Sequence, residues 1–118
     1  MKKLFFVLAI AFFLSNCSTV PITGRSQLNL LPESQLVGMS LDQYSQFKQQ
    51  AKMLPSSDPR VQMVRQVGNN IAAAVERYLK ANDGQELLET FQWEFNVADD
   101  ETVNAWCMAG GKVMFYTG

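Results

Sequence analysis

The spacing of apolar residues changes once along this chain, and this change restricts the fold more than any other feature of the sequence. Between residues 37 and 78, apolar side chains recur every three or four positions, which gives a helix one apolar face. From Phe91 to Val97, apolar and polar residues alternate instead, as they do in a half-buried strand. The sequence therefore predicts an α+β fold in which two amphipathic helices precede a small sheet.

The first predicted helix begins at Pro32, because proline has no N–H to leave unpaired and Glu33 places a carboxylate at the positive helix end. It ends before Pro55, and its apolar stripe consists of Val37, Leu41, Tyr44, Phe47, Ala51 and Leu54. The second begins at Asp58-Pro59 and ends near Asn82-Asp83-Gly84. Its stripe consists of Val61, Val64, Gly68, Ile71, Val75 and Tyr78. We expect Gly68 to allow close packing against the first helix.

Three short strands are predicted after the helices, at residues 91–97, 103–108 and 112–117. The last two are joined by Gly110-Gly111, a tight turn that needs positive φ. The first two are joined by Asp99-Asp100-Glu101, which we interpret as a solvated turn because it lacks the spaced oxygen ligands of a calcium loop. Since each strand follows the previous one after a short turn, we predict an antiparallel meander.

Residues 1–16 have the pattern of a secretory signal peptide. Lys2 and Lys3 precede an apolar run from Leu4 to Leu14, which is too short for the roughly 20 residues of a membrane span. The run closes on Leu14-Ser15-Asn16-Cys17, which resembles a bacterial lipobox. The resemblance implies that Cys17 is acylated and holds the mature chain on a membrane, with the periplasmic face of the outer membrane favoured by analogy. The alternative is an uncleaved anchor.

Residues 17–31 are interpreted as a tether with a short strand at 27–30, and residues 32–118 as one incomplete domain. The net charge is −1 and the basic residues are scattered, so we expect no nucleic-acid partner. With Cys17 acylated, Cys107 is the one remaining thiol. We expect it to be buried, as free cysteines usually are, with a mixed disulfide or a reactive thiol as the alternative.

The segment Val103 to Gly118 resembles the hairpin of the CAAX-prenyl-protease-like and HtpX-like zinc metallopeptidases. That hairpin commonly has an Asn-Ala start, a Pro-Gly-Gly turn and a Tyr-Thr-Gly close, and this chain departs from it at Ala109. Residues 17–30 and 91–97 are similar to the lipoprotein branch of the same family. The resemblance implies that residues 32–118 are the front part of a zincin-like metalloprotease domain.

The resemblance implies a membrane-anchored zinc metalloendopeptidase that cleaves polypeptides of the cell envelope. In such enzymes an H-E-x-x-H helix follows the Tyr-Thr-Gly, and its two histidines bind zinc. This sequence has no histidine and no such helix. We therefore predict that the chain is a fragment of such an enzyme, and that alone it binds no zinc and has no peptidase activity.

The resemblance also implies a supporting role for the hairpin, because an edge strand in such proteases pairs with extended substrates through backbone hydrogen bonds. The residues that would supply this edge are Asn104, Gly110, Gly111, Val113, Phe115 and Tyr116. The alternative is an ordinary hairpin with Phe115 in the core and an exposed Gly-Gly turn. For the whole chain, the alternative is a non-enzymatic envelope lipoprotein that binds a partner through its helices and its aromatic strand.

Overall fold

The computed structural model describes residues 17–20 and 23–118. The chain divides into two compact units, one ending at Pro32 and the other running from Glu33 to Gly118. The predicted signal peptide, residues 1–16, lies outside the described residues and stays a prediction. Among the helices that are described, none has both the length and the apolar character needed to cross a bilayer.

The first unit contains two short strands. Strand β1 (Cys17–Thr19) pairs antiparallel with strand β2 (Ser26–Leu28). Between them, Gly24 has φ 64° and donates its N–H to the Val20 carbonyl at 3.0 Å. The tether segment thus contains the predicted strand near residue 27 and a second strand that pairs with it.

In the second unit, two long helices lie where the apolar stripes predict them. Helix α1 spans Glu33–Gln50, helix α2 spans Pro59–Ala81, and a short helix α3 spans Gln85–Leu88. The Asp58 carboxylate accepts the Arg60 backbone N–H at 2.9 Å, so α2 has the predicted N-cap. Both predicted helices are confirmed, but α1 ends at Gln50, before Ala51 and Leu54 of its predicted stripe.

The sheet contains three strands, β3 (Glu94–Ala98), β4 (Ala105–Met108) and β5 (Lys112–Tyr116), in the spatial order β3-β5-β4. Strand β5 pairs antiparallel with β4 but parallel with β3. The α+β class is therefore confirmed, whereas the prediction of a purely antiparallel meander is wrong.

The loop between β3 and β4 explains why the sheet is mixed. Residues 99–104 are long enough to carry the chain past one strand position, because strands lie about 4.8 Å apart and each extended residue spans about 3.3 Å. The hairpin then returns β5 into the space between β3 and β4. The arrangement is fixed at its end, where the Thr117 N–H donates to the Ala98 carbonyl at 3.2 Å.

The sheet has two faces with different neighbours. The face toward α1, called here the α1-side face, carries Met114, which is fully buried and packs with Tyr44 of α1. Phe47 of α1 meets Trp106 edge to face, with 5.0 Å between the ring centroids. Because side chains alternate along a strand, the other face, called the α2-side face, carries Phe95, Val97, Ala105, Cys107, Val113 and Phe115.

Helix α2 packs on the β3 part of the α2-side face, and Gly68 makes this possible. A Cβ atom added at Gly68 would lie 2.5 Å from the Cδ1 atom of Phe95. The close approach predicted at Gly68 is therefore present, but its partner is the ring of Phe95 in β3 and not helix α1. The prediction of packing against α1 is wrong because the sheet occupies that position.

The buried stripe of α2 also differs from the predicted one. The buried residues are Val61, Gly68, Ala72 and Leu79. Ile71 and Tyr78, which were expected on the inner side, are 57% and 42% exposed. Val61 and Gly68 belong to both stripes, whereas Ala72 and Leu79 directly follow Ile71 and Tyr78 in sequence. The centre of the inner face is therefore rotated by about 50°, or half of one residue step. The rotation leaves a second apolar row of α2 facing outward.

Candidate functional site

The glycine turn of the β4–β5 hairpin is buried beneath neighbouring segments. Gly110 and Gly111 have φ values of 81° and 80°, as the predicted tight turn requires. Their carbonyls accept the N–H groups of Gln92 and Glu94 at 2.8 and 3.0 Å. A Cβ at Gly111 would lie 2.8 Å from the ring of Trp93. The alternative of an ordinary hairpin with an exposed Gly-Gly turn is therefore wrong.

The same alternative placed Phe115 in the core, and this is also wrong. It lies on the α2-side face and is 40% exposed, so it is not a core residue. The neighbouring Tyr116 points to the α1-side face, where its hydroxyl accepts the indole N–H of Trp106 at 3.2 Å. The hairpin thus packs on one face and leaves apolar side chains accessible on the other.

Strand β5 lies in the centre of the sheet, and the edge that the hairpin offers is β4. The Asn104 carbonyl accepts the Tyr116 N–H at 3.0 Å, and Ala105 stands opposite Phe115. In an antiparallel pair the bonded and non-bonded positions alternate, so the N–H and C=O groups of Ala105 and Cys107 point away from β5. Among the described residues, no hydrogen bond satisfies these outward groups.

The predicted edge residues are therefore brought together in one hairpin, but they occupy different positions in it. Asn104 lies just before β4, the glycines form the turn, and Val113, Phe115 and Tyr116 belong to the central strand. Sequence reasoning missed Ala105 and Cys107, because a meander would place β4 in the centre. Counting back from the glycine turn shows that the backbone groups of Ala105 and Cys107 point to one side of β4 and those of Trp106 and Met108 to the other. Only the strand order shows that the first of these sides is the open edge.

The opposite edge of the sheet, β3, is closed by other parts of the second unit. The guanidinium of Arg65 in α2 donates to the Phe95 carbonyl at 3.1 Å and to the Asn96 side-chain oxygen at 2.9 Å. After α1, residues 52–54 run beside the end of β3: Leu54 N–H donates to the Val97 carbonyl at 3.0 Å. The Asp99 N–H donates to the Lys52 carbonyl at 2.8 Å.

A polar cluster under the α1-side face holds the hairpin against α1 and β3. The Glu94 carboxylate accepts hydrogen bonds from Lys48 at 2.5 Å and from Asn96 at 2.8 Å. The Lys112 ammonium donates a longer hydrogen bond to the same carboxylate at 3.4 Å. It also donates to the Gln92 carbonyl at 2.6 Å. Partial burial raises the pKa of Glu94, but these hydrogen bonds outweigh burial, so the pKa lies below its usual value.

Tyr44 connects the same cluster to the central strand. Its hydroxyl donates to the Val113 carbonyl at 2.8 Å and accepts from the Asn96 amide at 3.2 Å. Burial raises the pKa of Tyr44 to about 12, so the phenol keeps the proton that this hydrogen bond requires. The cluster is therefore an attachment of the hairpin rather than a reactive site.

An apolar groove of about 360 Å³ lies beside the hairpin, between α2 and the α2-side face. Its walls are formed by apolar side chains and one glycine, namely Met63, Val64, Val67, Gly68, Ile71, Trp93, Phe95, Val113 and Phe115. Sequence reasoning did not find this groove. Its signal is the row of Met63, Val67 and Ile71 at intervals of four, which forms the outward apolar row of α2.

The Asp99-Asp100-Glu101 segment is an exposed turn, as predicted. Asp99 accepts from the Lys52 ammonium at 2.6 Å, and Asp100 accepts from the Thr102 N–H at 2.8 Å. These hydrogen bonds lower the pKa of both carboxyl groups. Within the described residues, no three histidine, cysteine, aspartate or glutamate side chains come together as metal ligands do.

Cys107 is exposed on the α2-side face of β4, so the expectation that it is buried is wrong. The reason is again the strand order: in the centre of a meander its side chain would be covered by neighbours on both sides. At the edge it has the hairpin partner Val113 on one side only.

The sequence of the chain is similar to metalloendopeptidases over nearly its whole length, although no protein-family profile matches it. The relatives are mitochondrial metalloendopeptidases OMA1. That of Danio rerio is 26% identical over 113 residues, which cover 94% of this chain and 22% of the relative. That of Homo sapiens is 27% identical over 116 residues, which cover 97% of this chain and 21% of the relative. The matches support a metallopeptidase family, and the chain spans about a fifth of the relatives' length.

Proposed function

We propose that this chain is the N-terminal part of a membrane-anchored zinc metalloendopeptidase, and that strand β4 is the edge with which extended polypeptide substrates pair. The observation that carries the proposal is the outer side of β4, where the backbone groups have no partner among the described residues. The N–H and C=O groups of Ala105 and Cys107 match the hydrogen-bonding pattern of another peptide backbone. Pairing through the main chain suits a protease that cleaves many sequences.

The zinc of such an enzyme does not fit the residues of this chain. Zinc sites in peptidases use imidazole, thiolate and carboxylate ligands, and catalytic sites have three of them. The sequence has no histidine, and Cys107 lies on the sheet edge without other metal-binding side chains among the described residues. The ligands and the catalytic glutamate therefore belong to another part of the enzyme, and this chain contributes substrate binding.

The anchor is the second part of the proposal. Acylation at Cys17 would place the described domain at a membrane surface, in the bacterial envelope and on the periplasmic side of the outer membrane. Cells grown with a radiolabelled fatty acid are expected to label the unmodified protein and not Cys17→Ala. Equal labelling of both proteins, or labelling of neither, would contradict the lipid anchor.

The pairing role is tested by binding an extended peptide to the 118-residue chain. Cys107→Pro removes the outward N–H but no hydrogen bond of the hairpin, and proline is tolerated on edge strands. We expect this variant to keep the fold and to lose about tenfold in peptide affinity, as for one lost backbone hydrogen bond. In the intact chain, peptide addition should shift the amide signals of Ala105 and Cys107.

Val103→Pro is the matched control, because it introduces a proline into the exposed loop before β4 and should not affect affinity. Equal affinity of Cys107→Pro and the intact chain would overturn the pairing role. Zinc-dependent cleavage of a denatured protein by the 118 residues alone would overturn the assignment of catalysis to another part.

The apolar groove favours a second candidate function, a non-enzymatic lipoprotein that binds a partner. Met63, Val67 and Ile71 are more than half exposed around it, which is unusual for three neighbouring apolar side chains. In this case binding would depend on the groove and not on the β4 edge. Val67→Lys would then abolish binding, whereas Cys107→Pro would not affect it.

A further inference from the structure

The β4 edge has an apolar surface beside it on the α2-side face. This surface, called here the shelf, consists of Ala105 and Cys107 of β4 and of Val113 and Phe115 of β5. On the α2-side face, Ala105 stands opposite Phe115, and Cys107 stands opposite Val113. Ala105 and Cys107 are small and exposed, while Phe115 behind them is 40% exposed. The strand that offers free backbone groups therefore also leaves an open apolar surface on one side.

A segment that pairs with β4 would place alternate side chains on this shelf. Residues directly opposite Ala105 and Cys107 have their side chains on the same face as these two residues. The residue between them lies opposite Trp106 and points to the α1-side face. Only two positions of the segment, separated by one residue, therefore lie over the shelf.

The shelf favours large apolar side chains at these two positions. Ala105 and Cys107 fill little space, so a leucine or phenylalanine of the added segment can lie over them. Phe115 and Val113 stand on the next strand, about two strand spacings from the added one, and line the far side of this space. Contact would remove apolar surface of both partners from water. No charged side chain lies on this face of the three strands, so an acidic or basic residue would lose water without gaining a partner.

We propose that the polypeptides recognised by this chain carry large apolar side chains at positions i and i+2, which lie opposite Ala105 and Cys107 on the shelf of Val113 and Phe115. This inference rests on the proposed pairing at β4, and it adds a substrate class to it. Selectivity then comes from the side-chain spacing, while the backbone hydrogen bonds supply affinity for any extended segment.

Two isomeric peptides test the spacing. Ser-Thr-Leu-Ser-Leu-Thr-Ser places both leucines on the shelf, whereas Ser-Thr-Ser-Leu-Leu-Thr-Ser can place only one there in any register. We expect the first peptide to bind the 118-residue chain roughly tenfold more tightly, as for one buried leucine side chain. A third peptide, with aspartates in place of the two leucines of the first, should bind more weakly than both.

Phe115→Ser identifies the shelf as the source of the preference. It should reduce the difference between the two isomers to about twofold or less, because the remaining shelf buries little of the second leucine. Tyr78→Ser is the matched control, since Tyr78 has a similar exposure of 42% but lies on α2 and does not line the groove. This variant should keep the full preference.

The outcomes separate the inference from the proposed function. Equal binding of the two isomers that is still lost in Cys107→Pro would overturn the side-chain preference and leave the pairing at β4 intact. Binding that Cys107→Pro does not weaken would overturn both. A preference that survives in Phe115→Ser would show that the shelf is not its source, and would also overturn the inference.

Discussion

Along the outer side of β3 the carbonyls of Phe95 and Val97 and the N–H of Asp99 have hydrogen-bond partners, whereas along the outer side of β4 the N–H and C=O groups of Ala105 and Cys107 have none among the described residues. The β3 edge is closed by one arginine side chain and by the segment that follows α1. The two edges of one small sheet therefore have different environments.

Open edges are a hazard, because they can pair with other chains and cause aggregation. Natural sheets usually protect such strands with lysine, proline or a bulge. Strand β4 reads Ala-Trp-Cys-Met and contains none of these residues. The β3 edge is therefore closed by other residues of the second unit, whereas β4 is suited to accept a strand from a partner.

The largest expected effect separates the covered and the open halves of the α2-side face. Phe95 on β3 is 9% exposed under α2, and Phe115 on β5 is 40% exposed. We expect Phe95→Ala to lower the free energy of unfolding by about 3–5 kcal/mol, because it removes buried contacts and leaves a cavity. Phe115→Ala should cost under about 1.5 kcal/mol, because much of its ring is already in water.

Urea denaturation of the two variants and the unmodified chain gives these values. Similar losses for the two phenylalanines would mean that α2 does not distinguish the two halves of the face. It would also remove the basis for an open apolar shelf beside β4.

The next effect concerns the closure of the β3 edge by Arg65. Arg65→Met keeps much of the side-chain volume but leaves the Phe95 carbonyl and the side-chain oxygen of Asn96 without their hydrogen-bond donor. We expect the free energy of unfolding to fall by about 1–3 kcal/mol, as for a lost bond to a partly buried polar group. Arg77→Met, at an exposed position of the same helix, should change it by about 0.5 kcal/mol or less.

Hydrogen exchange provides a second measurement for Arg65→Met. Amide protons of β3 should exchange faster in this variant, while those of β4 and β5 should change less. If Arg65→Met is as stable as Arg77→Met, the guanidinium does not close the edge, and the contrast between β3 and β4 depends on residues 52–54 alone.

The local elements could be predicted from the sequence, because each depends on residues close together in the chain. Asp58-Pro59 marks the start of α2 through an N-cap bond, and Gly110-Gly111 marks a turn through its positive φ values. Period-three-or-four and period-two spacing separate the helices from the strands. These signals gave both helices and the hairpin at nearly their observed bounds.

The strand order could not be predicted in the same way, because it depends on where the 99–104 loop carries the chain. Cys107 is expected to be buried because free cysteines usually are, and three of the residues predicted for the substrate edge, Val113, Phe115 and Tyr116, belong to β5. Because β5 inserts beside β3, Cys107 lies exposed on the edge strand and β5 is the central strand. The partner of Gly68 has the same origin, since an apolar helix face does not specify whether it packs on a helix or on a sheet.

The smallest expected effect concerns Glu94, the acidic group that joins α1 to β3 and β5. Its pKa is lowered in the folded protein, because hydrogen bonds from Lys48, Asn96 and Lys112 outweigh its partial burial. A lowered pKa stabilises the fold above the pKa of the unfolded chain, and this stabilisation is lost as the pH falls through the folded-state value. Glu94→Gln should therefore cost about 1 kcal/mol at neutral pH, a small value because the carboxylate is partly exposed.

The cost of Glu94→Gln should disappear when unfolding is measured at progressively lower pH, because a protonated glutamate and a glutamine carry the same charge. Lys48→Met is the partner variant, and in combination with Glu94→Gln it should cost less than the sum of the two single changes. A difference that is constant with pH would mean that Glu94 acts through packing alone. Since β4 has no ionic attachment of this kind among the described residues, the acid-sensitive contribution of Glu94 should belong to β3 and β5 and not to β4.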